Sequence, residues 1–164
     1  MDPIVKYFTG EKAESYLFLF MGIVALTLAV GFLLGLKTAF WKGVAIPFLI
    51  VATLELVVGY TIVRRSPKDI VRVENYYKSD PAKITDQEIP RMEKVMSNFV
   101  LFRYLEITLI VLGIFLMYST QKDTFLRGIG LGLFIQASIV LSLDFFAERR
   151  GKVYMDYLIE SVEK

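Results

Sequence analysis

Residues 16–36 read YLFLFMGIVALTLAVGFLLGL, an apolar run that contains no acid and no base. A helix needs about 20 such residues to cross a hydrocarbon layer ~30 Å thick. The run is too long for the core of a signal peptide, and no small-residue cleavage site follows it. It is also preceded by Glu11, Lys12 and Glu14, so it reads as a retained helix.

Three more stretches have the same character: Val44–Val63, Phe99–Tyr118 and Gly128–Ala147. Buried helices of a water-soluble bundle would each present a polar face, and these have almost none over five turns. The expected fold is therefore an all-α membrane protein. Four transmembrane helices, about 16–36, 44–63, 99–118 and 128–147, form a single domain over 1–164. They are joined as two helical hairpins with a long connection over 64–98.

Composition agrees with this and excludes much else. Of the 164 residues 55% are apolar, and the 22% that carry charge are gathered into blocks between the apolar runs, as membrane chains require. A net charge of +2, with no basic cluster interleaved with aromatics, argues against nucleic acid as a partner. The chain has no Cys and no His. Disulfides, thiolate chemistry, Ser/His nucleophile pairs and the usual zinc, haem and iron sites are thereby excluded, and no metal or cofactor is implied.

Basic residues set the expected orientation. The N-terminal segment, the 64–98 connection and the C-terminal tail carry 2, 8 and 4 of them, whereas the two short turns carry only Lys37, Lys42, Lys122 and Arg127. Both termini and the connection are expected in the cytoplasm. A bacterial inner membrane is the expected location, because no organelle-targeting feature is evident.

Within the connection, Ser66-Pro-Lys-Asp69 carries the residues of a helix start, and Ile70, Val73 and Tyr77 follow at helical spacing. This predicts a short amphipathic helix at the membrane surface, ended by Ser79-Asp-Pro81. A second start before Pro90 should run unbroken into the third span. Val153, Tyr157 and Leu158 predict another surface helix in the tail.

The two halves resemble each other. Glu11-Lys12, Ser15, Leu19-Phe20 and Gly31 match Glu93-Lys94, Ser97, Leu101-Phe102 and Gly113. After three extra residues in the second turn, Lys37, Phe40, Gly43, Ala52, Leu56 and Arg64-Arg65 match Lys122, Phe125, Gly128, Ala137, Leu141 and Arg149-Arg150. Two tandem hairpins of one origin would keep the same membrane orientation and form a parallel pseudo-repeat. Small residues mark the expected close approaches: Gly22, Ala25 and Ala29; Ala45, Ala52 and Gly59; and the Gly128/Gly132 pair.

Candidate functional residues are the polar ones inside the spans. Glu55, Arg103, Glu106, Gln136 and Asp144 seldom face lipid, since a central charge costs about 2.5–3.5 kcal/mol. Arg103 and Glu106, three residues apart, are placed to pair. With both termini inside, these groups converge on a cavity that should open to the cytoplasm. None of the charges is duplicated in the other half, so one asymmetric site is expected. Arg64, Arg65, Arg149 and Arg150 leave the spans together and read as anchors to anionic lipid head groups.

Three functional classes remain. A non-enzymatic binding or accessory protein, acting on the bilayer with a membrane partner or as a homo-oligomer, fits the small size and the lack of a reactive constellation. A small proton, cation or polar-solute transporter or channel fits the repeat and the buried carboxylates. A lipid-directed enzyme would have only carboxylates to work with, and is the least supported.

Overall fold

The computed structural model describes residues 3–162, and all of its regular structure is helical. Helix α1 spans Pro3–Gly31 and ends in a π-helical turn, Phe32–Leu36; α2 spans Ala39–Ser79. A second π-helical turn, Ile84–Glu88, leads directly into α3, Ile89–Ser119, and α4 spans Phe125–Val162. All four are long and apolar enough to cross a membrane. At 1.5 Å per residue the 41 residues of α2 reach roughly 60 Å, about twice the hydrocarbon thickness. Each helix therefore extends well past its apolar stretch, at the end of the bundle that holds both termini.

The turns follow from local chemistry. Lys37, in the left-handed region at φ 49°, closes the first hairpin, and the Thr38 side chain caps α2 by accepting from the Trp41 N–H. Asp123, at φ 61°, turns the second hairpin, where the Thr124 hydroxyl oxygen accepts from the Arg127 N–H. Both hydroxyl oxygens serve amide groups that the helix itself leaves unpaired.

Helices α2 and α4 form the central pair. Helix α1 packs along α2, α3 packs along α4, and α1 touches α4 to a smaller extent; among the described residues no Cα of α3 comes within 8 Å of a Cα of α1 or α2, although the Arg91 guanidinium of α3 lies 5.7 Å from the centre of the Phe8 ring of α1. At the end carrying the turns, α2 and α4 meet backbone to backbone. A Cβ on Gly43 would collide with the Phe125 carbonyl, and one on Gly128 with the Phe40 carbonyl. These two contacts are reciprocal: each glycine meets the residue three positions before the other. Gly132 meets the Val44 carbonyl, and Gly113 of α3 meets Gly130 of α4. The small residues expected at close approaches are the buried ones, and Gly128 and Gly132 face α2.

At the end holding the termini, the helical extensions build a second core. Ile4, Tyr7 and Phe8 of α1 pack with Val73 of α2, Ile84 of the second π-helical turn, Met92 of α3, and Tyr154 and Leu158 of α4. The Tyr7 and Tyr154 rings stack at 4.2 Å. This core explains two departures from the sequence expectation. The segment after Ser66 is not a separate surface helix, since α2 continues through Pro67 to Ser79. Its buried positions 45, 48, 52, 55, 59, 66, 69 and 73 keep one 3–4 spacing across the proline, so packing holds the helix together despite the lost amide donor. The Ser66 hydroxyl, expected to cap a new helix, instead donates to the Ile62 carbonyl at 2.8 Å. The tail likewise continues α4, and its packed face is Gly151, Tyr154 and Leu158, whereas Val153 faces outward. Asp80 ends α2, and the helix containing Pro90 runs unbroken through the third apolar stretch, both as expected.

The α2–α4 contact carries a direct prediction. Gly43→Ala and Gly128→Ala should each lower stability by about 1–3 kcal/mol, the usual cost of overpacking. Gly31→Ala, with open space around it, should be neutral or slightly stabilising. Thermal denaturation in one detergent, followed by circular dichroism, compares the three.

Candidate functional site

Below the close contact of α2 and α4 near the turns, α3 packs mainly along α4. The space left between the helices is a cavity of about 350 Å³. Its walls are apolar: Phe18 of α1, Val51, Leu54 and Val58 of α2, Phe99, Phe102 and Leu105 of α3, and Leu133 and Val140 of α4. Glu11, Glu14, Ser15 and Arg150 line it nearer the termini; four of the polar side chains on its lining come from the apolar stretches, Glu55 of α2, Glu106 of α3, and Gln136 and Asp144 of α4.

Three of these four are almost fully enclosed, with Glu55 3%, Gln136 2% and Glu106 5% exposed. Neither carboxyl oxygen of Glu55 has a hydrogen-bond partner, nor does Glu106 Oε2 or Gln136 Nε2. Glu106 and Asp144 face each other across the α3–α4 interface. Both also line a shallower groove of about 530 Å³ on the outer side of α3 and α4.

Arg103 is placed differently from the expectation. It does not pair with Glu106; its guanidinium reaches across to Glu148 on α4, in that outer groove. One turn of α3 separates the two partners' Cα atoms, but Glu148 offers a partly exposed carboxylate and Glu106 points inward. The basic group that does line the cavity is Arg150, at the end nearest the termini, where it is paired with Glu14.

That end is covered. Arg65 pairs with Glu11 at 2.6 Å and Arg150 with Glu14, so these two arginines turn into the bundle. Arg64 and Arg149 face outward, and Arg64 lies 3.3 Å from the Tyr60 hydroxyl. Tyr7, Glu11, Glu14 and Arg150 line this mouth, with the packed aromatic core beyond it.

Further out, a buried ionic knot ties three helices together. Glu88, 1% exposed, accepts two hydrogen bonds from Arg91 at 2.9 and 2.6 Å, and one from the Tyr154 hydroxyl at 3.1 Å. Arg72 lies 3.5 Å from the same carboxylate and 2.7 Å from Asp69. Burial works against the charge on Arg91, but the Glu88 hydrogen bonds, the Glu88 charge and the two tyrosines together outweigh it and hold the Arg91 pKa above its ordinary value. Burial pushes the Tyr154 hydroxyl up, and Glu88 adds to that; burial pushes Tyr7 up to about 12, with Glu11 adding to the shift. Both tyrosines stay neutral, so Tyr154 remains a donor.

The sequence reading passed over Glu14, Glu88 and Glu148. A signal for the first was present, because Glu11, Glu14 and Ser15 share a helical face at the same end as the arginine pairs. Glu88 has a local partner in Arg91, three residues on, but Arg72 and Tyr154, which complete its surroundings, come from other helices.

Two outcomes follow at this end. Removing the Glu88 carboxylate (Glu88→Ala) leaves Arg91 buried and unpaired, and should lower stability by about 3–5 kcal/mol; chemical denaturation checks this. Glu11 is a second case. Burial pushes its pKa above the ordinary glutamate value, only partly countered by Arg65. The folded chain then binds a proton more readily than the unfolded one, so stability falls as pH rises from the ordinary glutamate range through the raised value. Glu11→Gln should flatten this slope in a series of thermal midpoints against pH.

Comparison with known protein families, curated proteins and solved structures finds no match in any of the three.

Proposed function

We propose that this chain is a multi-pass integral membrane protein that binds a ligand in the central cavity, without catalysing a reaction. Both termini face the cytoplasm in this reading, as the distribution of basic residues favours. The hairpins form a parallel pseudo-repeat, supported by the reciprocal Gly43 and Gly128 contacts, which join positions that match between the halves.

One observation carries the binding reading. Glu55 is 3% exposed, both its carboxyl oxygens are buried without a partner, and it is one of the residues that line the cavity. A structural ion-pair network would give such a group a counter-charge, since an isolated buried charge is far more costly than a paired one. Here the arginines nearest the cavity are matched with Glu11, Glu14 and Glu148, Glu106 and Asp144 face each other, and Glu55 is left over.

A transport reading draws on the same acids. It lacks a route through the other half of the bundle: between Glu55 and the turns no ionisable side chain lies in residues 44–54, 107–117 or 128–135. The α2–α4 backbone contact closes that half. Binding therefore accounts for more of the geometry than conduction does.

The test is chemical. In lipid nanodiscs a hydrophobic carbodiimide, dicyclohexylcarbodiimide, should modify Glu55, as located by mass spectrometry of peptides. Glu88, held by Arg91 and Tyr154, should resist. An unreactive Glu55 would mean that its carboxyl is not open to a ligand, and would remove this reading.

A further inference from the structure

We infer that the cavity takes amphipathic organic cations, an ammonium group on an aromatic or branched alkyl body, and admits them sideways between α2 and α3. This rests on the binding reading above and adds the ligand's charge, its shape and its route.

Charge comes first. Glu55, Glu106 and Asp144 project into the space, and Arg150, the one basic side chain lining it among the described residues, is engaged by Glu14. An excess of acid in an apolar enclosure calls for a positive guest. Glu55, with both oxygens unpartnered, is the counter-ion for such a guest, and the Gln136 amide nitrogen on the same lining is also unsatisfied.

The kind of cation follows from spacing and walls. Among the described residues no three acidic side chains converge as a metal site would require. A hard metal ion needs six or more oxygen ligands, and the walls here are hydrocarbon. An ammonium needs only one or two carboxylates, and its alkyl or aryl body is suited to such walls. Phe18, Phe99 and Phe102 on the lining offer ring faces to a positive group. A volume of about 350 Å³ falls in the range of small-molecule sites, roughly 300–1,000 Å³.

The route follows from the packing. Among the described residues no Cα of α2 comes within 8 Å of a Cα of α3. Leu54 and Val58 on one, Phe102 and Leu105 on the other, both line the cavity and face outward, at 59%, 46%, 46% and 53% exposure. In a bilayer that gap opens on acyl chains, where amphipathic cations accumulate. The end toward the termini is covered by the Glu11–Arg65 and Glu14–Arg150 pairs.

The probe is benzyltriethylammonium, titrated calorimetrically into the full chain in zwitterionic nanodiscs, with empty nanodiscs subtracted. Benzenesulfonate and sodium chloride serve as comparison ligands. Saturable binding of the cation alone is expected, weakened at least about tenfold by Glu55→Gln, in a variant whose helical content and melting are retained. The cation should also protect Glu55 from the carbodiimide. Leu54→Trp, which narrows the gap without removing an acid, should slow association. Equal binding of the sulfonate, or equal binding by Glu55→Gln, would overturn the inference. If Glu55 reacts with the carbodiimide but no cation binds, the inference fails while the cavity reading stands. If Glu55 neither reacts nor binds, both fail.

Discussion

The backbone contact between α2 and α4 near the turns decides the shape of the whole bundle. Gly43 and Gly128 let two helices approach until carbonyl oxygens occupy the space where a side chain would begin. In a lipid environment, where apolar side chains gain nothing from leaving water, such close packing is the main attraction available between helices. Helix α1 packs along α2 and α3 along α4. The cavity lies among the four helices, each of which contributes to its lining.

The far end is held by a different kind of force. Beyond the apolar stretches, the extensions of all four helices pack an aromatic and aliphatic core around Phe8, Tyr154 and Leu158, and burial from water stabilises it. The ionic knot at Glu88 lies inside this region. Ion pairs there add little over an apolar replacement, but each member makes the others indispensable. The bundle is thus clamped at both ends, by backbone contact near the turns and by a water-driven core near the termini. The polar cavity lies between the clamps, where neither form of packing reaches.

Much of this is readable from the chain. The four apolar runs, the small-residue faces and the end of α2 at Asp80 depend on local composition, which the sequence displays directly. Glu55, Glu106, Gln136 and Asp144 stand out because polar groups are rare in such runs, and they do line one space. What local reading missed depends on partners far away in the chain. Ser66-Pro67 carries the residues of a helix start, yet Asp69 and Val73 are buried against other helices and hold α2 straight through it. Arg103 has an acid three residues on, but its partner is Glu148, on another helix. The Glu14–Arg150 pair joins residues 136 positions apart, and no spacing rule reaches across that distance.

The central claim is that α2 and α3 stand apart, with the carboxyls between them. Because the chain has no cysteine, pairs can be introduced without background. A disulfide requires Cα atoms within about 7 Å, and no Cα of α2 comes within 8 Å of α3 among the described residues. Oxidative cross-linking of Val58→Cys with Phe102→Cys, and of Leu54→Cys with Leu105→Cys, should therefore fail in nanodiscs. Gly113→Cys with Phe134→Cys, whose Cβ atoms would lie 3.2 Å apart, should cross-link in protein that keeps its helical content, since a Cβ at Gly113 also crowds the Gly130 carbonyl. Rapid, complete cross-linking of either α2–α3 pair would place those helices in contact and contradict the account.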